Sequence, residues 1–423
     1  MRKLYIFLLL LFVLRGIGAQ PFQNIILDNA IYVNDIHSVK LTLEGLGFGQ
    51  PILILNSGKK LWLRFDDFQT DFRYLKYTLI HCSHDWKISD LSQIEYLEGY
   101  MEDDIKDFSY SFNTIQSYVH YELLFPNEYI NITKSGNYIL FVYEEDPSKP
   151  VLTRRMMVVE PMQAGIQGVV KQATNVADMY TRQEVDFVAN TGRYAVRNPS
   201  LYLNATIMQN GRWDNAIIGL KYRFGKPGEY SFDYDDNQNS FAGGAEFRTF
   251  DIRTLHSNGD RIVSLGYKNG INHAYIFEDK MRPFGAYETN NTLKGRCFYR
   301  NSDFSGKNRE DYVEVHFSLR PDYQILDGDV YVFGELTDWQ IKKEAKLKFN
   351  PDINYWETVL YLKQGFYNYQ YVYVKNGTNI VDAIYIEGSH WQTGNEYTVL
   401  LYLQDEGDIY DKLIGFIYLT IKP

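Results

Sequence analysis

Tyr367-Asn368-Tyr369-Gln370-Tyr371-Val372-Tyr373-Val374 runs into Lys375 and then the dipeptide Asn376-Gly377. Side chains of a strand point alternately to the two faces of its sheet, so this run sets four tyrosines on one face. Asn-Gly supplies the positive backbone angles a hairpin turn demands. A helix would spread the same tyrosines around its circumference, so the stretch reads as strand.

The same alternation recurs outward from it. Tyr312-Val313-Glu314-Val315-His316-Phe317-Ser318-Leu319 gathers Val313, Val315, Phe317 and Leu319 on one face, and Val39 to Leu43 and Leu61 to Phe65 alternate likewise. Tyr138 to Tyr143 is a continuous apolar strand, and Val151 to Val159 follows it as another strand. Asn56-Ser57-Gly58, Lys134-Ser135-Gly136-Asn137, Asp146-Pro147-Ser148 and Asn210-Gly211 punctuate them with turn chemistry. Aromatic residues make up 16% of the chain, and long Ala/Leu/Glu/Lys stretches at helical spacing are nearly absent. The expected fold is all-β, a tandem of immunoglobulin-like β-sandwiches.

Residues 1–19 read as a secretory signal peptide. Arg2 and Lys3 precede the apolar run Leu4 to Leu14, and small residues follow at Gly16, Gly18 and Ala19. The apolar core is too short for a membrane anchor, and no later run approaches the roughly 20 residues a spanning helix needs, so no direct membrane insertion is expected. The remaining length suits several cores. Residues 20–161 read as an N-terminal β-sandwich, 162–309 as a middle β domain and 310–423 as a C-terminal sandwich. The polar, turn-rich stretch from Thr289 to Arg309 reads as a linker.

Lys and Arg number 43 against 53 Asp and Glu, a net charge of −10 that deepens once Arg2, Lys3 and Arg15 leave with the leader. That balance argues against nucleic acid, which calls for a cationic stripe, and against anionic headgroups.

Few residues look chemical. Cys82 and Cys297 are the only cysteines; a buried inert thiol is the commoner reading of Cys82, with a Cys82–Cys297 bridge the alternative in an oxidising compartment. His81, Cys82, His84 and Asp85 lie close in sequence, but alternation opposes His81 to Cys82, and four convergent ligands are not supplied. The bland reading is a strand ending at an Asp-Trp turn with Trp86 packed in the sandwich. Glu102-Asp103-Asp104 reads as a solvated loop, and neither Asp233, Asp235 and Asp236 nor Glu144, Glu145 and Asp146 has the spacing of a calcium loop. Nucleophile elbow, Walker loop and dinucleotide fingerprint are all missing, so no catalytic, cofactor-binding or metal residue is expected, and the chain is read as a non-enzyme. Solvent-facing tyrosines and the loops at the sandwich ends are the expected partner surface.

Two resemblances extend this reading. Val330-Tyr331-Val332-Phe333-Gly334-Glu335-Leu336-Thr337-Asp338-Trp339, Tyr355-Trp356 and Gly365 through Gly377 are similar to early-set immunoglobulin-like domains, among them glycogen-binding modules. Sugar-binding members use a Lys before the hairpin and a Trp past it; here those positions fall at Val372 and at Thr378 or Asn379. Trp339 alone matches as a glycan contact, so a periplasmic glycan-binding protein is the alternative function, while a packed Trp is the commoner role.

The second resemblance spans the mature chain. It is carried by Ile80-His81-Cys82-Ser83-His84-Asp85-Trp86, Asp107 to Thr114, Tyr121 to Glu128, Ser135 to Leu140, Pro150 to Arg155, Gly243 to Arg248, Glu396 to Tyr402 and Tyr410 to Gly415. This series resembles the plug protein family of the type IX secretion system of Bacteroidetes, with Ala245 standing where that family carries Asn. The resemblance implies a periplasmic protein without cofactor. It would close the inner mouth of a giant outer-membrane β-barrel translocon, one copy per barrel. Size agrees. A barrel of about 36 strands has a diameter near ~70 Å, and a compact chain of roughly 400 residues is ~55 Å across.

Overall fold

The computed structural model describes residues 25–192, 194 and 196–421; the expected leader at 1–19 lies outside them. The fold is all-β, and the helices among the described residues are single turns of three or four residues. None of these helices is long and apolar enough to cross a membrane.

The first unit is a sandwich. One sheet orders Ala30–Ile31, Pro150–Val159, Gly136–Glu144, Leu75–Cys82 and Glu102–Asp104, with Ile52–Ile54 beside Pro150–Val159; the other orders Ile36–Leu43, Leu61–Asp67, Val119–Phe125 and Asp107–Tyr110. Leu61, Leu63 and Phe65 from one sheet share a core with Leu79, Tyr138 and Leu140 from the other.

Strand Gly136–Glu144 explains its own composition. Tyr138, Leu140 and Val142 enter that first core, while Ile139, Phe141 and Tyr143 face the opposite way, against Met208, Leu400, Tyr402 and Leu413. A strand buried on both faces has no polar side to show, hence the unbroken apolar run. The sheet it meets contains Ile217–Leu220, Leu203–Gln209, Glu396–Leu403 and Lys412–Thr420. The far face of that sheet closes a second core with Gly165–Gln172 and Arg182–Asn190 through Phe187, Ile207, Val399 and Leu401. Four sheets therefore stack in succession.

The third unit is built around Gly365–Lys375, paired with Arg248–Asp251, Cys297–Tyr299 and Gly328–Phe333, and around Tyr312–Arg320, flanked by Ile271–Ile276 and Tyr355–Lys363. The tyrosine face of Gly365–Lys375 is its core face: Tyr367, Tyr369 and Tyr371 pack with Phe250 and Phe317. A buried phenol needs a partner for its hydroxyl. Tyr369 and Tyr371 both donate to Asp279 Oδ2, at 2.6 and 2.9 Å. Arg248 and Arg261 each lie 2.7 Å from the other oxygen of that carboxylate.

The boundary expected between residues 309 and 310 runs through shared sheets. Leu203–Gln209 pairs along its length with Glu396–Leu403, and Arg248–Asp251 and Cys297–Tyr299 both pair with Gly365–Lys375. The chain leaves the second sandwich near residue 245, builds the third, and returns near 390. Periodicity specifies strands but not their distant partners, so the split division left no local trace. Nor is the stretch from Thr289 to Arg309 a linker. It holds strand Cys297–Tyr299 between two turn-rich flanks, and Cys297 is fully buried. Glu102–Asp104, expected as a loop, is an edge strand on Leu75–Cys82, with Glu102 2.7 Å from Lys76 and Asp103 3.1 Å from Lys106. Charge on an edge discourages pairing with other chains.

Candidate functional surface

Strand Asp107–Tyr110 lies at the edge of its sheet, paired among the described strands with Val119–Phe125 alone, and all four of its residues are exposed. Phe108 is paired with Tyr121, and Tyr110 with Val119. Cross-strand partners share a face, and Tyr121 and Val119 are core residues. Phe108 and Tyr110 nonetheless stay 39% and 55% exposed, so the edge overhangs the opposing sheet. Phe72 stacks on Phe108 with ring centroids 4.9 Å apart, and Tyr74, 74% exposed, meets Phe72 edge-on at 4.9 Å. Phe112 continues the patch beneath the Arg309 guanidinium, which stands 4.6 Å over its ring. Rigid aromatics beside an unpaired strand edge suit a protein interface: the rings anchor, and the edge offers free backbone groups.

Buried ion pairs lock the third unit onto the outer face of the sheet that carries this patch. Asp66, inaccessible to solvent, accepts hydrogen bonds from Lys363 Nζ, Tyr312 Oη and His120 Nδ1, each at 2.6 Å. Burial opposes its charge, but the Lys363 ammonium and the His120 hydrogen bond prevail, and its pKa is held down to about 2. Lys40 Nζ donates to the Cys297 carbonyl at 3.0 Å and lies 2.5 Å from Glu335, and from strand Pro150–Val159 of the facing sheet Arg154 sits 3.4 Å from Asp338. Asp311 accepts from the backbone N–H groups of Ile115 and Gln116 at 2.8 and 3.1 Å.

The other joints are as closely tied. Between the first two units the Arg155 guanidinium stands 4.4 Å over Trp86 and 5.3 Å over Trp213, and Tyr402 Oη donates to Asn137 Oδ1 at 2.8 Å. At the double crossing between the second and third units, buried Glu246 accepts from Gly394 N at 2.8 Å and Tyr287 Oη at 3.1 Å. Two chain crossings and these pairs disfavour a hinge.

The residues singled out from sequence take structural places. Trp339 is partly buried, edge-on to Phe247 and Phe333 at 5.9 and 5.6 Å, with Arg212 4.8 Å over its ring and Gly295 packed against it. Its own neighbours cover much of it. Cys82 and Cys297 are free and buried, and burial pushes both thiols up to about 12. His81 hydrogen-bonds Ser89 Oγ at 2.8 Å and the Ser135 carbonyl at 3.1 Å, while Cys82 turns to the opposite face and His84 reaches Asp411 at 2.9 Å. Trp86 packs between two sandwiches rather than inside one. Asp235 pairs with Arg223 at 2.6 Å, and Glu144 lies 3.5 Å from Arg73. Much of the tyrosine signal is core: Tyr77, Tyr118, Tyr121, Tyr138, Tyr312, Tyr397 and Tyr402 are all buried. Phe72 and Phe108 escape sequence reasoning, because Asp107-Phe108-Ser109-Tyr110 alternates as any half-covered strand does.

Residues 36–160 match the family described as type 9 secretion system plug protein, first domain. The crystal structure of a hypothetical protein from Parabacteroides merdae ATCC 43184, at 2.30 Å, is similar at 30% identity with a TM-score of 0.88, over 93% of this chain and 99% of that one. A biofilm-associated protein BSP domain aligns over 92% of this chain and 96% of its own at 8% identity with a TM-score of 0.16. No curated protein matches the chain.

Proposed function

The chain belongs to the plug protein family of the type IX secretion system, and we propose that it closes the periplasmic end of that system's outer-membrane barrel when no substrate is passing. The observation that carries this reading is the family match over residues 36–160. That region also presents the exposed aromatic edge formed by Phe72, Tyr74, Phe108 and Tyr110.

The role is non-enzymatic and mechanical. A stopper has to fill an opening and resist being deformed into it. Four stacked sheets, a third sandwich fixed by buried ion pairs and a doubly crossed junction supply a body of fixed shape. The aromatic edge supplies attachment to the barrel, one copy per channel, from the periplasmic side. Purification of the native chain from detergent-solubilised envelope tests the pairing: the barrel is expected to co-purify. A chain recovered alone, under conditions that keep other envelope complexes intact, would contradict it.

A further inference from the structure

His273 on strand Ile271–Ile276 and Glu314 and His316 on strand Tyr312–Arg320 stand on the outward face of one sheet. Register sets this arrangement. The strands run parallel, with His273 paired to Glu314 and Tyr275 to His316, whereas Ala274, Val313, Val315 and Phe317 enter the core. Alternation then turns all three polar side chains the same way. His273 Nδ1 lies 3.0 Å from His316 Nε2 and 3.2 Å from Glu314 Oε2. One ligand atom from each residue falls within 4.8 Å of the other two.

The two separations from His273 match the edges of a coordination polyhedron. With zinc–nitrogen and zinc–oxygen bonds near 2.0–2.1 Å, adjacent ligand atoms of a tetrahedral site stand about 3.3 Å apart. Hydrogen bonding alone accounts for the group less well. His273 Nδ1 carries at most one hydrogen yet faces both a ring nitrogen and a carboxylate, whereas a central cation serves all three at once. Tyr275 stacks on the His316 ring, centroids 4.2 Å apart and planes 15° apart, which fixes the imidazole plane. The side chains of His273 and Glu314 are 13% and 33% exposed, sheltered but reachable. The carboxylates of Glu184, Asp186 and Asp233 make a useful contrast. There the Lys171 ammonium already lies 3.3 Å from Glu184 and 2.5 Å from Asp186, in the place a cation would take.

We propose that His273, Glu314 and His316 bind one divalent transition-metal ion, zinc foremost, with a fourth position open to water. Two imidazoles and a carboxylate form the donor set of an open zinc site, and imidazole disfavours calcium and magnesium. The bound ion straps two parallel strands of the third unit together on their outer face.

The test uses the tag-free mature chain, stripped with chelator, then titrated with zinc chloride by calorimetry and with cobalt(II) chloride by visible absorption. One equivalent of zinc is expected to bind and to raise Tm, and cobalt is expected to give the intense visible bands of a tetrahedral centre. His273→Asn and His316→Gln should each weaken zinc by at least about tenfold, the lower bound for losing even an outer-shell partner, with the metal-free Tm little changed. A folded wild-type chain with no saturable one-to-one binding overturns the proposal. So does binding that persists undiminished in the double variant.

Discussion

Lys363 Nζ lies 2.6 Å from Asp66 Oδ2 across the junction of the first and third sandwiches, with the two side chains 4% and 0% exposed. A buried pair gains little over a well-packed apolar pair, but removing one partner strands a charge, and that costs about 3–5 kcal/mol. Asp66→Ala should therefore lower stability by roughly that amount, and Lys363→Met by a similar one. The double variant should recover part of the loss. Thermal unfolding of the three variants checks this, and additive losses would show that the pair does not act as a unit.

Acid should loosen that junction and also the ion-pair cluster of Glu387 with Arg248 and Arg282 in the third unit. Asp66 and Glu387 are both held down to about 2, Asp66 chiefly by Lys363 and Glu387 by Arg248 and Arg282, each against the cost of burial. A depressed carboxylate contributes stability that is complete above its unfolded pKa near ~4 and is lost as pH falls through its folded value. Tm should accordingly decline from about pH 6.5 downward, first because His81, held down to about 4 by burial, takes up its proton only on unfolding, and fall most steeply between about 4 and 2 as these carboxylates protonate. Asp66→Asn should start lower and fall less over that window.

The aromatic edge is predicted to matter for attachment and not for folding. Phe72→Ser combined with Tyr110→Ser should leave Tm within a few degrees of the parent. Each anchor lost should cost barrel binding about 2 kcal/mol, roughly thirtyfold. Quantitative co-purification with the barrel reads this out. Equal recovery of variant and parent would move the interface elsewhere.

Trp339 is expected to behave as a packing residue. Trp339→Ala should destabilise the chain by about 2–4 kcal/mol, because it opens a hole between Phe247, Phe333 and Gly295. Titration of the parent with maltooligosaccharides should release no heat of binding. Saturable binding lost in the variant would favour the glycan-binding alternative.

Both thiols should be silent in the native chain. Cys82 and Cys297 are buried and their thiolates are disfavoured up to about 12. A disulfide-exchange reagent should label neither residue under native conditions and both in denaturant.

What could be read in advance follows from which interactions are local. Alternation along Tyr312–Arg320 and Gly365–Lys375 located those strands, and the opposition of His81 and Cys82 followed from the same two-residue period. Pairing between Leu203–Gln209 and Glu396–Leu403 could not be read, because nothing in either strand names a partner nearly two hundred residues away. The candidate surface was legible only as a class. Tyrosine is equally at home with its hydroxyl on a buried Asp279 and with its ring in solvent at Tyr74. Which it does depends on whether another sheet lies overhead. The cluster of His273, Glu314 and His316 stayed hidden for a related reason: its ligands come from two strands that only the register brings together.

Dye uptake through the translocon barrel in cells lacking this gene tests the sealing role most directly. Deletion should open the envelope to a dye otherwise excluded, and the parent chain should close it again while the Phe72→Ser, Tyr110→Ser variant does not. Uptake that stays at the parental level after deletion, in cells whose barrel is present and open at its outer end, would contradict the account.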